Sequence, residues 1–317
     1  MKVTEHIRQS DGPLLSFEIL PPTKGSSIVE IFETLDPLME FKPPYINITY
    51  HSPEVSLRNR PDGLLEKRVI RKRPGTVAIS SAIRHRYKVD VVPHLICGGF
   101  NREETEDALI DLNYLNIHNI LVIRGDADHF SGRFTPNPGG HEHAVDLLRQ
   151  VMDMNEGRYL DDELKNPTPT CFSVGVAGYP EKHAEAPNMD TDIRYLKEKI
   201  DAGAEYIVTQ MFFDNSKFFS FVKKCREAGI EVPIIPGLKP VSIKKHMTLL
   251  PQTFKVDLPS DLTSEIEKCR NNESVRELGI EWAVNQSKEL LKAGFPVIHF
   301  FTMGRSDNIR RIAGQII

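Results

Sequence analysis

Hydrophobic positions along this chain recur in two rhythms. Short runs rich in β-branched residues fall at 14–20, 45–50, 90–97, 119–124, 172–179, 206–213, 233–238 and 297–302. Between them lie stretches with the 3.6-residue period of amphipathic helices, at 28–41, 103–116, 144–154, 193–202 and 217–228. The short runs are too uniformly apolar to keep one wet face, so they predict parallel strands covered on both sides. Asn101 followed by Glu104 reads as a capping box that starts one helix. Gly203 and Gly229 sit where two others should stop. Eight strand–helix alternations predict an α/β fold closed into a (β/α)8 TIM barrel rather than an open sheet. The stretch 251–294 exceeds what one crossover needs. It predicts the seventh helix region, an inserted helix over 260–270 and a long helix from Glu273. No shift in composition marks a boundary, so 1–317 reads as a single barrel domain with an inserted helical segment around 251–294.

With 40% hydrophobic and 26% charged residues, the composition is that of an ordinary globular protein. A formal charge of −4 gives no reason to expect a nucleic acid or an anionic membrane as partner. The basic run over 67–73 therefore reads as a solvated helix face or loop rather than a phosphate patch. Cys97, Cys171, Cys225 and Cys269 lie far apart with no C-x-x-C, which suits reduced thiols and neither a zinc site nor a disulfide framework. His141-x-His143 has no acidic or Cys partners in ligand spacing, so no metal is expected. The first residues lack the apolar core of a signal peptide, and no run is long enough to span a bilayer. A cytoplasmic protein is the expectation.

Polar residues then concentrate where strands should end, the side on which barrels of this kind build their sites. Glu18 lies in Ser16-Phe17-Glu18, Thr49-Tyr50-His51 closes the second run, and His94 sits within the third. Arg124-Gly125-Asp126 ends the fourth, Tyr179-Pro180-Glu181 the fifth with His183 beyond, and Thr209-Gln210 marks the sixth. The last run carries His299-Phe300-Phe301-Thr302-Met303-Gly304-Arg305. Each has a bland alternative: Glu18 as a carboxylate paired with a lysine, His94 as a hydrogen-bonded core histidine. Their convergence on one end of one barrel is what the bland readings do not predict. No P-loop, G-x-G-x-x-G, H-E-x-x-H or G-x-S-x-G occurs. A dinucleotide must then lie across the barrel mouth. Asp192, Tyr195 and Lys199 share one helix face by spacing, either as a solvated face or as contacts for a ribose, a ring and a pyrophosphate.

The ordered set Ser16-Phe17-Glu18, Pro21-Pro22, Thr49-Tyr50, Pro93-His94-Leu95, Arg124-Gly125-Asp126, Ala177-Gly178-Tyr179-Pro180-Glu181, Lys199–Ala204, Thr209–Phe213 and His299–Thr302 resembles the methylenetetrahydrofolate reductase family across nearly the whole chain. The resemblance implies a (β/α)8 barrel holding FAD, reduced by NADH or NADPH in a ping-pong cycle and reoxidised by 5,10-methylenetetrahydrofolate, in the one-carbon chemistry that leads to methionine. It implies Glu18 as the general acid that opens the folate ring, with Asp126 beside flavin and pterin. FAD-binding positions fall on Thr49, Tyr50, His94, Arg124, Gly125, Asp126, Tyr179, His183, Ala186, Asp192, Tyr195 and Lys199. Substrate-binding positions fall on Gln210, His246 and Arg305. His246 stands where many relatives have glutamine, and His143 where they have a flavin-contacting tyrosine. The chain stops after the barrel, so a regulatory domain and inhibition by S-adenosylmethionine are not expected. A homo-oligomer is the family expectation. Rival readings are a proline dehydrogenase-like flavin barrel and a non-catalytic folate- or nucleotide-binding barrel.

Overall fold

A computed structural model describes residues 1–126 and 134–317, all but the Val55 side chain. Its main sheet joins β1 (Leu14–Ile19), β2 (Tyr45–Ile48), β5 (Asp90–Ile96), β6 (Asn119–Ile123), β7 (Ser173–Gly178), β8 (Tyr206–Thr209), β9 (Ile234–Ile235), β10 (Gly237–Leu238) and β11 (Val297–Phe301). They pair in parallel in the order β10-β11-β1-β2-β5-β6-β7-β8-β9. The two ends of that order are β9 and β10, separated only by Pro236, so a single stretch of chain links β8 to β11 and the sheet closes into an eight-stranded (β/α)8 barrel. The predicted run 233–238 is thus one strand position broken in two. Proline has no N–H to give to a ladder, and His299 N–H instead donates to the Pro236 carbonyl at 3.0 Å.

Outside the barrel run α2 (Val29–Leu35), α3 (Thr76–Tyr87), α4 (Arg102–Tyr114), α5 (Ala144–Asn155), α6 (Met189–Asp201), α7 (Asn215–Glu227), α8 (His246–Phe254), α9 (Ser260–Lys268), α10 (Asn272–Lys292) and α11 (Asp307–Ile316). Asn101 and Glu104 form the expected reciprocal cap at 2.8 Å each. Gly203 and Gly229 take the left-handed conformation after α6 and α7. The run 28–41 is not one helix: at Asp36-Pro37 the α-helix passes into a 3-10 helix over Asp36–Phe41. The strand expected over 206–213 stops at Thr209. Met211 and Phe213 pack instead with Val241, Leu262, Ile266 and Val275, under the inserted helices.

Odd-numbered residues of β1 such as Leu15, Phe17 and Ile19 face the helices, with Ile46, Ile48, Leu95, Val122 and Phe300 from other strands. Fully burying side chains of this size stabilises by about 1.5–3 kcal/mol each. Inside the barrel the opposite faces bring Tyr45, Val92, Leu121, Tyr206, Val208, Ile235 and Val297 together. A Cβ on Gly175 would lie 2.3 Å from the Tyr206 ring, so only glycine lets that ring cross the lumen. The N-terminal α1 (Val3–Arg8) packs against this interior cluster through Val3, whose N–H donates to Asn119 Oδ1 at 3.0 Å. Asn119 begins β6, so this contact marks the barrel's amino end. Aromatic and aliphatic bulk thus fills the barrel interior.

One element was not anticipated. After β2 the chain makes an antiparallel hairpin, β3 (Glu54–Asn59) with β4 (Leu65–Ile70). The basic run is therefore an exposed strand as far as Ile70 and a loop after it, not a helix face. Lys67-Arg68 and Val69-Ile70 come as pairs rather than in alternation, so the strand period of two is not legible in the run. Arg73, just past the hairpin, donates to the Pro21 carbonyl, and Lys24 N–H donates to Lys72 O at 2.8 Å, which tie the hairpin's base to the loop after β1.

Candidate active site

Strand alternation that buries Leu15, Phe17 and Ile19 turns Ser16 and Glu18 into the lumen. Register then sets their neighbours: Ser16 lies beside His299 of β11, Glu18 beside Asn47 of β2, and Asn47 beside Val92 two residues before His94. Glu18 Oε2 is 3.8 Å from His94 Nε2 and 3.7 Å from His299 Nε2. Both imidazoles are almost fully buried and Glu18 nearly so. Burial pushes His94 down to about 4, against the pull of Glu18, so this ring is neutral at physiological pH. His94 Nε2 reaches Asn47 Oδ1 at 3.4 Å, and His299 Nδ1 reaches Ser16 Oγ at 2.9 Å. His51 completes the group from the loop after β2, 3.3 Å from Thr49 Oγ1. Burial and then Arg73 lower its pKa, while the charges of Asp126 and Glu18 raise it. Asp126 itself is exposed at the rim.

A second group follows β6 and β7. Arg124 pairs with Glu185 at 2.7 Å and lies over the Phe134 ring at 4.8 Å, and this pairing lowers the Glu185 carboxyl. Gly125 takes φ +95°, the left-handed turn that starts the loop. Tyr179 is pushed far up by burial and meets the His183 ring edge-on at 4.8 Å. His183 N–H donates to Asp192 Oδ2 at 2.8 Å. Ala186 is buried, its N–H bonded to His183 O at 3.0 Å and its carbonyl to Lys182 Nζ at 2.7 Å. On α6, Asp192 and Lys199 turn inward. Lys199 donates to the Ala177 carbonyl at 2.9 Å, and burial brings it down to about 8. Tyr195, on the same face by spacing, is 47% exposed, so the three do not converge on the lumen.

A third group lies opposite. Gln210 Oε1 accepts its neighbour Met211 N–H at 2.9 Å. His246, at the start of α8, accepts Ser242 N–H on Nδ1 at 3.2 Å, and burial with Lys239 nearby brings it to about 4. Arg305 is exposed past β11. Sequence reasoning assigned no role to His299, His51, Asn47 or Lys239. The signal was present for His299, since it and Phe301 are two apart on a strand, as are Ser16 and Glu18. His141, by contrast, is tied to Gln150 Oε1 at 2.5 Å beside α5, and His143 is exposed before it. Glu181 bonds Asp257 N–H at 2.6 Å and pairs with Lys217 at 3.1 Å, joining the β7 loop to the inserted segment.

The donor set suits a flat, polar ring joined to an anionic linker. Among the described residues Arg124 has only a half-exposed glutamate to release, Tyr50 supplies a buried aromatic wall and Tyr179 a partly buried one, and Asn47 Nδ2 and His299 Nε2 are buried polar atoms without a partner. Fold and site together define a (β/α)8 barrel with a carboxyl acid set among imidazoles at its carboxyl-end mouth. Comparison with known proteins makes this specific. Residues 2–316 match the methylenetetrahydrofolate reductase family, and the chain belongs to it. It is 31% identical over 316 residues to "Methylenetetrahydrofolate reductase (NADH) 1" of Arabidopsis thaliana, covering 96% of this chain and 48% of that one. It is 30% identical over 294 residues to "5,10-methylenetetrahydrofolate reductase" of Salmonella typhimurium, covering 92% of this chain and 87% of the other. The chain thus spans about half the length of the plant relative and most of the bacterial one. A solved Clostridium thermocellum protein described as binding two copies of 5-methyl-5,6,7,8-tetrahydrofolic acid shares the fold, with a TM-score of 0.57 at 13% identity over 98% of this chain and 96% of that one. No helix among the described residues is long and apolar enough to cross a membrane.

Proposed function

We propose that this chain reduces 5,10-methylenetetrahydrofolate to 5-methyltetrahydrofolate, with FAD as its resident cofactor and NADH or NADPH as the reductant. Bound FAD would accept hydride from the nicotinamide and pass it to the folate-borne carbon. Thr49, Tyr50, His94, Arg124, Gly125, Asp126, Tyr179, His183, Ala186, Asp192, Tyr195 and Lys199 would hold it, with Arg124 exchanging Glu185 for a phosphate oxygen. Gln210, His246 and Arg305 would contact folate. The protein's own chemistry is at Glu18: its carboxyl delivers a proton to the aminal nitrogen, and ring opening leaves an iminium carbon that hydride can reach. The observation that carries this reading is a nearly buried carboxyl at the mouth, approached on one oxygen by two imidazoles, in a chain of this family.

Glu18→Gln tests it by separating the half-reactions. Glutamine keeps the size of the side chain but delivers no proton at neutral pH. Reduction of the flavin by nicotinamide needs no acid there and should persist. Reoxidation by methylenetetrahydrofolate should slow by about 10²–10⁴-fold, the usual contribution of a general acid. Stopped-flow absorbance at the flavin band reads each step. Equal slowing of both would make Glu18 a shared binding group; slowing of neither would move the acid elsewhere.

A further inference from the structure

We propose that Ser16 and His299 form a positioning pair that places the acid proton of Glu18 on the carboxyl oxygen turned away from the two histidines. The inference rests on Glu18 being the acid. His299 is held from two sides: Ser16 Oγ lies 2.9 Å from Nδ1, and the Phe301 ring meets the imidazole edge-on at 5.0 Å. Its other nitrogen, Nε2, is buried, has no hydrogen-bond partner among the described residues and lies 3.7 Å from Glu18 Oε2. With Ser16 donating to Nδ1, the ring proton sits on Nε2 and points at that oxygen. His94 Nε2 approaches the same oxygen at 3.8 Å. The His299 N–H directed at Oε2 makes it the acceptor, the nearer contact of His94 Nε2 being Asn47 Oδ1 at 3.4 Å, so the transferable proton belongs on Oε1. A buried N–H without a partner is costly. It becomes satisfied when Glu18 gives up its proton, because Oε2 then bears charge and draws the donor in. The pair therefore strengthens the acid as well as aiming it.

The titratable groups around this pair are Glu18 on β1, Tyr45 on β2 and His94 on β5, and beyond them His51, which Arg73 and Asp126 influence in turn. Donation to Oε2 favours the ionised carboxyl. Losing it should raise the pH at which Glu18 deprotonates, and with it the descending limb of the folate half-reaction.

His299→Phe keeps a ring beside Phe301 but removes both nitrogens, and His299→Gln returns an N–H near Nε2. In the flavin-loaded protein, His299→Phe should slow reoxidation by methylenetetrahydrofolate about tenfold and move its alkaline limb up by about one pH unit. His299→Gln should recover most of both. Independently of activity, ring-nitrogen NMR of the purified protein should show the signal lost in His299→Gln to be the Nε2–H tautomer. Ser16→Ala should turn that signal into a mixture of tautomers, and this carries the test if the phenylalanine variant fails to fold. An Nδ1–H tautomer in the wild type, an unmoved limb in His299→Phe, or no recovery with glutamine would each overturn the proposal. If wild-type reduced flavin is not reoxidised by methylenetetrahydrofolate at all, the proposed function fails instead, and the tautomer result still decides the pairing.

Discussion

Two glycines in helices should answer the same substitution with opposite signs. Gly279 lies within α10, where an added Cβ would meet the Val241 carbonyl oxygen at 1.8 Å, its carbon at 2.8 Å and its nitrogen at 3.1 Å. Real Cβ contacts are essentially never under 3.0 Å, so helix and turn must part by about 1.2 Å. The obstacle is the backbone of buried Val241, which follows Pro240, and cannot swing aside. Overpacking of this kind costs about 1–3 kcal/mol, here towards the upper end, while alanine returns about 1 kcal/mol of helix propensity. Gly279→Ala should therefore destabilise by about 2 kcal/mol. An unfolding entropy of about 2.1 cal/mol/K per residue makes that a fall in Tm of roughly 3 °C for a chain this long. Gly314, in α11, is exposed and has nothing within 4 Å of the same point. Gly314→Ala should stabilise by about 0.5 kcal/mol, the low end of the glycine penalty, because the helix ends soon after. Urea unfolding followed by circular dichroism measures both. If Gly279→Ala is neutral or stabilising, α10 does not seat against the turn that carries Lys239 towards His246.

Two further predictions concern charge. If Asp126 faces the flavin as proposed, Asp126→Asn removes a negative charge from beside a group that becomes anionic on reduction. The flavin potential should rise and electron delivery to folate should suffer; a spectroelectrochemical titration with the potential unchanged or lowered would contradict the assignment. His246 titrates near 4 in the folded chain against an ordinary 6.5. As pH falls the unfolded chain takes up that proton first, so its contribution to stability is full above about 6.5 and drains away towards 4. His246→Gln should flatten the loss of stability over that window in urea titrations, and an unchanged slope would mean the imidazole is not held neutral.

The alternation of apolar runs and helical stretches was enough to give a parallel sheet of eight strand–helix units, because strands buried on both faces read as continuous apolar runs. The same periodicity put Glu18, His94, Arg124, Tyr179, Gln210 and Arg305 at one end, since every strand points the same way. Local signals were reliable where they are local: the Asn101–Glu104 cap and the stops at Gly203 and Gly229 depend only on neighbouring residues. Closure was different. Pro236 breaks one strand position in two so that the same stretch of chain pairs with β8 and with β11, which no window of sequence contains. Nor does spacing decide which of three residues on one face of α6 turn inward. Asp192 is buried, Lys199 bonds the Ala177 carbonyl of β7, and Tyr195 is left half in water. Above all, the company of Glu18 was a tertiary matter. His94 and His299 come from strands far away in the chain, and only barrel register brings their nitrogens to a single oxygen. Sequence sets which faces are polar; the closed sheet decides which polar groups meet.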